Sequence, residues 1–413
     1  MRTERILIGI GLTAACLCAY LLANFYLHLP AQWQPGTDLG GDLKQFYASG
    51  QMLKREDYRV LYRDYHFGRE LYRWFEREAF DRGEELERFN FRYSPLYAWI
   101  SEKALPLPYI LWVKGWFWFS IACTVAAALL LLHGLPLFKK MTAACWLLIL
   151  SFAPLTYALA LGQNACLTFL ILCASCQLLR NSQALAAGLV FSCAFYKPQF
   201  VLCGLLLMLL TGHKRFCAGL ILGSILWAAL SLLLCGWHAH LDWLHSLWEI
   251  LRGRQSDEMA TNVAWKGFVL TALPDGWQAA GMLLSYLFAM AALVWFVWRL
   301  NKLQSLKSWS ADLTLALAVV YWLIFTPHVK SYELVLGLVW CIYFLRLPLP
   351  RHSILFWTAF FWSCGFLALS ARHWQISLVA APLTLWLLFT VERCVRALDE
   401  CHPKAGEEGM FSI

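Results

Sequence analysis

From residue 6 onward the chain is a succession of apolar runs of 13 to 26 residues, separated by polar or basic stretches most of which are short. A hydrocarbon core about 30 Å thick is crossed by about 20 apolar residues in a helix, and a spanning segment must satisfy its own backbone hydrogen bonds. The runs fall at 6–29, 107–132, 142–161, 165–179, 184–196, 199–211, 216–236, 277–298, 311–326, 333–346, 353–370 and 375–391. They predict an all-α polytopic membrane protein of about twelve segments, forming one integral-membrane domain over 1–413. Charged residues make up 15% of the chain, against roughly 25% in soluble domains, too few to cover a water-facing surface. A soluble enzyme is thereby excluded, as are disorder, collagen and coiled coil.

Basic residues set the orientation. With the N-terminus in the cytoplasm, Lys139 and Lys140, Arg180, Lys214 and Arg215, Arg299 with Lys302 and Lys307, Arg346 with Arg351, and Arg393 with Arg396 all lie inside, as the excess of Lys and Arg on cytoplasmic connections requires. Residues 392–413 then form a cytoplasmic tail. The opposite face receives 30–106, 162–164, 197–199, 237–276, 326–333 and 371–374. The run 6–29 is too long for a signal-peptide core and reads as a retained helix.

The first outer loop is the polar part of the molecule: residues 30–106 carry 13 of the 26 acidic and 12 of the 34 basic side chains. Within it, Tyr58, Leu61, Tyr62, Tyr65, Leu71, Tyr72, Phe75, Phe80, Leu86 and Phe89 recur among Arg and Glu at roughly helical spacing, which fits interfacial helices and, equally, charged helices packed on the bundle. The net charge of +8 does not indicate nucleic acid, because outside this loop the basic residues sit in small groups between apolar runs. None of the 15 cysteines lies in 30–106. Cys173 and Cys176 read as helix packing, and His238, His240, Asp242 and His245 as an aromatic-belt loop. No metal or cofactor is expected.

Polar residues of unusual type collect on the outer side. Asp42 stands in Gly40-Gly41-Asp42-Leu43, with Asp38 a competitor; a carboxylate there can cap a helix, pair with a cation or act as a base. Lys197, in Phe195-Tyr196-Lys197-Pro198-Gln199, is a cation at membrane level, where an unpaired charge is expensive; it either snorkels to the interface or binds an anion. Gly162-Gln163-Asn164 interrupts two apolar runs, and Thr326-Pro327-His328 with Tyr332-Glu333 interrupts two more. Turn chemistry accounts for each alone, but not for their restriction to one face.

The order Asp42-Leu43 with Phe46-Tyr47, Leu61-Tyr62, Tyr93-Ser94-Pro95-Leu96, Gly162-Gln163-Asn164 and Tyr196-Lys197-Pro198-Gln199 resembles glycosyltransferase family 87 of the GT-C superfamily over about residues 38–215, and again, weakly, at Thr326-Pro327 and Tyr332-Glu333. The resemblance implies a membrane-embedded transferase that uses a polyprenyl-phosphate sugar, with mannose the best-known sugar. It also implies a catalytic carboxylate in the first outer loop, a position Asp42 matches. Two patterns differ: the family's tyrosine-proline-proline reads Tyr93-Ser94-Pro95, and its tyrosine-aspartate reads Tyr332-Glu333.

Such a donor carries its own leaving group, so inversion at the anomeric carbon needs a base for the acceptor hydroxyl and a cation for the departing phosphate. Asp42 is the expected base, with His328 assisting it or bonding the acceptor. Lys197 and Arg92 are the expected phosphate ligands, and Tyr93, Gln163, Asn164, Gln199, Tyr332 and Glu333 the remaining donor-binding side chains. The expected partners are the polyprenyl-phosphate sugar, a lipid or glycan acceptor and membrane lipids, at an outward-facing site in the cytoplasmic membrane. A transporter or lipid flippase shares the helix count and the intramembrane polar residues, but the internal repeat common in transporters is not evident.

Overall fold

The computed structural model describes residues 43–55, 58–62, 67, 91–133, 146–251, 262–304, 309–326, 329–344, 351–374 and 377–400. Asp42 and His328 fall outside this set, as do Asp38 and most of 57–91.

All regular elements among the described residues are helices, apart from an isolated antiparallel bridge between Asn262 and Lys330. Three lie in the polar stretch between the first two apolar runs: α1 (Leu43–Leu53), α2 (Tyr58–Tyr62) and α3 (Pro95–Ala104). Pro95 opens α3 after an extended Ser94, the position where a missing N–H costs nothing. The helices share a core of their own, built from Phe46, Leu61, Tyr62, Phe67, Phe91 and Ala98 and reaching Tyr109, Val113 and Trp243. Leu61 and Tyr62 are thus fully enclosed; Tyr65, Leu71, Tyr72, Phe75, Phe80, Leu86 and Phe89 of the same stretch lie outside the described residues.

The remaining helices form a bundle: α4 (Tyr109–Leu132), α5 (Ala153–Ala160), α6 (Ala165–Arg180), α7 (Ala184–Ser192) continued by a 3-10 segment Cys193–Tyr196, α8 (Pro198–Leu210), α9 (Lys214–Cys235), α10 (Trp237–Leu251), α11 (Trp265–Ala272), α12 (Asp275–Gln304), α13 (Ala311–Phe325), a second 3-10 segment Ser331–Gly337 running into α14 (Leu338–Phe344), α15 (Arg351–Trp374) and α16 (Ala380–Glu400). Three are long and apolar enough to cross a membrane, at Tyr109–Leu132, Lys214–Cys235 and Gly276–Gln304. Six more apolar helical stretches are shorter, among them Ala165–Arg180, Pro198–Leu210 and Ala311–Phe325. The long ones turn bare hydrocarbon outward: Leu233 is 82% exposed and Val294 69%. Contiguous apolar surface of that kind is not sustained in water, and with the composition it identifies a membrane protein.

The short helices differ in depth: α8 exposes Leu202, Leu206 and Leu209, whereas α13 lies in the interior. α13 is apolar around its whole circumference and buried from Asp312 to Ile324, as a helix without a polar face must be. α7 and α9 approach to backbone contact, since a Cβ at Gly188 would lie 2.0 Å from the carbonyl oxygen of Phe216 and one at Gly219 2.1 Å from that of Leu185.

Polar contacts separate to the two ends of the bundle. At one end Arg180 meets Asp312 (Nε–Oδ2 3.4 Å), Tyr343 and the carbonyl of His133, Gln304 bonds His213, and Arg299 pairs with Glu392. At the other lie Gly162-Gln163-Asn164, Lys197, Asn262, Glu333 and Ser377. In every case the partners come from segments that the alternating charge pattern assigns to one face.

Candidate active site

The second end is built by helix breaks. α5 stops in a Schellman turn: Gly162 adopts φ +63°, its N–H donates to Leu159 O at 3.3 Å, and Gln163 N–H donates to Ala158 O at 2.9 Å. A left-handed residue is needed there, and glycine supplies it without strain. The chain re-enters the bundle at Ala165, which buries Gln163 and Asn164 to 2% and 3% exposure. The Asn164 carbonyl accepts both the N–H and the hydroxyl of Thr168 at 3.0 Å, whereas its amide Nδ2 is enclosed with no hydrogen-bond partner. Because the Thr168 proton is committed to that carbonyl, the Tyr196 phenol donates to Thr168 Oγ1, at 2.7 Å.

Tyr196 leads directly into the second break. Pro198 excludes the helical conformation from the residue before it, and Lys197 accordingly has φ −117° and ψ 76° between the 3-10 segment and α8. The kink turns Lys197 inward, where Nζ lies 2.7 Å from Oε1 of Glu333, with Lys197 6% and Glu333 5% exposed. The other oxygen, Oε2, accepts the backbone N–H of Lys330 at 3.1 Å, so the carboxylate also caps the 3-10 segment that carries it. Two residues predicted separately from the sequence are therefore in direct contact across the fold.

An aromatic chain joins this pair to the core shared by α1, α2 and α3. The Tyr196 ring meets Tyr97 at 5.6 Å between centroids, and Tyr97 meets Phe46 at 5.7 Å and Tyr93 at 5.9 Å. Tyr93 is further fixed by Tyr62, whose hydroxyl donates to the Tyr93 carbonyl at 2.8 Å. Burial raises the phenol pKa values of Tyr62 and Tyr97 well above the usual range, so both stay neutral. Tyr332 is half-buried with its ring 6.5 Å from Tyr157. Gln199 lies half-buried in the first turn of α8. The backbone of Arg92 is held toward α10, its carbonyl accepting Trp243 Nε1–H at 3.2 Å. A separate apolar cavity of about 230 Å³ between α12, α13 and α16, lined by Phe288, Trp295, Tyr321, Phe325 and Leu387, shares no residue with the ion pair.

The histidine-rich stretch serves the α9–α10 turn. His240 Nδ1–H donates to Gly236 O at 2.8 Å, which leaves Nε2 to accept from the Ser231 hydroxyl, also at 2.8 Å.

Asn262 is a residue that sequence reasoning missed. It is 1% exposed; its Oδ1 accepts the N–H groups of Ala264 and Val329 at 3.1 and 3.3 Å, and its carbonyl accepts the Ser377 hydroxyl. It thereby ties the segments that precede α11, the second 3-10 segment and α16 together, next to Lys330, whose N–H donates to Glu333. A Cβ at Gly267 would lie 2.0 Å from the Asn262 carbonyl oxygen, so that neighbour must be glycine. An asparagine in a polar loop gives no sequence signal for such a role.

A buried lysine turned inward by a proline and paired with Glu333, an enclosed amide without a hydrogen-bond partner and a rank of tyrosines gather at one end of the bundle. The model of glycosyltransferase family 87 matches residues 91–327, more than half of the chain. The chain belongs to glycosyltransferase family 87. As a family 87 glycosyltransferase it uses a sugar donor and an acceptor, and the matched stretch contains Arg92, Tyr93, Gln163, Asn164, Lys197 and Gln199. Asp42, His328, Tyr332 and Glu333 lie beyond it. Neither a curated protein nor a solved structure matches the chain.

Proposed function

We propose that this family 87 member takes mannose from a polyprenyl phosphate and transfers it, with inversion, to a lipid or glycan acceptor at the outer face of the cytoplasmic membrane, from a bundle that crosses the membrane about twelve times. The observation that carries the reading is Lys197: a buried ammonium at the apex of a half-length hairpin, paired with Glu333 at 2.7 Å, is suited to hold a phosphate that leaves with negative charge. Asp42 removes the acceptor hydroxyl proton. The resulting oxygen attacks the anomeric carbon as its bond to the phosphate oxygen breaks, and Lys197 stabilises the departing phosphate. Leu43, the residue after Asp42, begins α1, and the α1 ring of Phe46 is linked through Tyr97 to Tyr196, which supports a shared site. His328 assists the base or the acceptor.

The test is incubation of purified protein with labelled polyprenyl-phosphate mannose and a membrane lipid extract. Covalent transfer of label to a lipid or glycan is the expected result, and directional movement of donor across liposomes without transfer would replace the proposal with a transporter. Asp42→Asn is expected to lower transfer by at least about a hundredfold, the scale of a lost general base, while the protein still inserts. Full turnover in that variant removes Asp42 as the base.

A further inference from the structure

The Lys197 ammonium already has a counter-ion. It lies 2.7 Å from Glu333 with both side chains more than nine-tenths buried, so the pair is neutral in the absence of substrate. A phosphodiester seated on Lys197 would bring a second anion to a single buried cation. Two anions that close to one another in a poorly solvated site repel strongly, so carboxylate and phosphate exclude one another. The anchoring of Glu333 assists exchange: its second oxygen keeps the Lys330 N–H when the first releases Lys197, so the carboxylate retains a hydrogen-bond donor when it loses its counter-ion. On the other flank the enclosed Asn164 amide, whose Nδ2 lacks a hydrogen-bond partner, stands one helical turn before the Thr168 that bonds Tyr196, and a buried donor without an acceptor points to an acceptor-rich ligand.

We propose that Glu333 is an internal stand-in for the donor phosphate, occupying Lys197 in the empty enzyme and giving it up when the lipid phosphate binds. The inference rests on the reading of Lys197 as a phosphate ligand and deepens it: Glu333 opposes donor binding instead of contributing to it, and it keeps the site neutral and closed to stray anions between turnovers.

The test uses the full chain in lipid nanodiscs, titrated with farnesyl phosphate and, as a control without the anion, farnesol. Glu333→Gln keeps an oxygen that can accept from Lys197 but removes the competing charge. It should bind farnesyl phosphate about tenfold more tightly than wild type, with farnesol unchanged. Glu333→Asp keeps the charge and should stay near wild type, which separates charge from packing. Lys197→Met should bind farnesyl phosphate at least about tenfold more weakly, and each variant is checked for a monodisperse, cooperatively melting protein. If Lys197→Met weakens binding but Glu333→Gln leaves it unchanged or weaker, the stand-in fails and the phosphate role of Lys197 survives. If Lys197→Met binds as wild type does, that role fails and the stand-in with it. Equal tightening by Glu333→Gln and Glu333→Asp would assign the effect to loosened packing and overturn the inference.

Discussion

The lysine at position 197 shows how far single residues can be read. A cation between apolar residues and next to a proline has to find an anion, and that much follows from the cost of an unpaired charge in hydrocarbon. Its partner is 136 positions away, and nothing local to Tyr332-Glu333 points back to it. Removing one member strands a buried charge, which costs about 3–5 kcal/mol, whereas replacing both with apolar residues of similar size is often close to neutral. Lys197→Met and Glu333→Met should therefore each lower the melting temperature in detergent clearly, and the double variant should melt above either single. Additive losses would show that the two side chains are not coupled. Asn262 makes the same point for a neutral group. Asn262→Ala leaves two buried N–H donors, those of Ala264 and Val329, without an acceptor, at about 1–3 kcal/mol each; Asn262→Asp retains an acceptor oxygen and should recover most of the loss. The thermal stability of the two variants, measured side by side, checks it.

At the scale of elements, helix breaks locate the site. α7 with its 3-10 continuation, and likewise α8, has 13 residues, about 20 Å at 1.5 Å per residue and short of a bilayer core. The sequence announces this hairpin through Lys197-Pro198 and announces the α5–α6 turn through Gly162. It does not announce what brings the hairpin beside α9. Gly188 and Gly219 do so by letting backbones touch, the way small residues act between membrane helices. Their spacing is unremarkable when read alone, because which glycines face one another is decided by packing. Gly219→Leu must push α7 and α9 apart against backbone atoms that cannot yield, so the loss should exceed the 1–3 kcal/mol usual for an overpacked core. The expected outcome is a sharp fall in folded yield, with transfer activity falling in parallel because Lys197 sits at the end of the displaced hairpin. A variant with wild-type yield and melting would show that the contact is not tight.

On the scale of the molecule, the end opposite the site holds the helices in place. Arg180 gathers Asp312, Tyr343 and His133, and Gln304 Nε2 donates to His213 Nε2 at 2.8 Å. Burial lowers the pKa of His213 below its usual value near 6.5, and the acceptor role of Nε2 requires the neutral ring. The unfolded chain thus binds a proton at mildly acid pH that the folded chain refuses. Stability contributed by this site is complete above about pH 6.5 and declines as pH falls from there toward the lowered folded value. His213→Gln, which cannot titrate, should flatten that part of the melting-temperature profile between about pH 7 and 5; an unchanged profile would mean that His213 is not the group responsible.

What the chain determined by itself is one-dimensional: run length and hydropathy, charge alternation from one connection to the next, and the turn chemistry of Gly162 and Pro198. These fix the environment, the helices, the face on which polar residues gather and, through the order of short motifs, the family. Pairing was decided only by the tertiary structure. Glu333 against Lys197, Asn262 against Val329 and Gly188 against the α9 backbone depend on helices packed far apart in sequence. A contact energy belongs to two partners at once, and no pattern local to either one encodes the other.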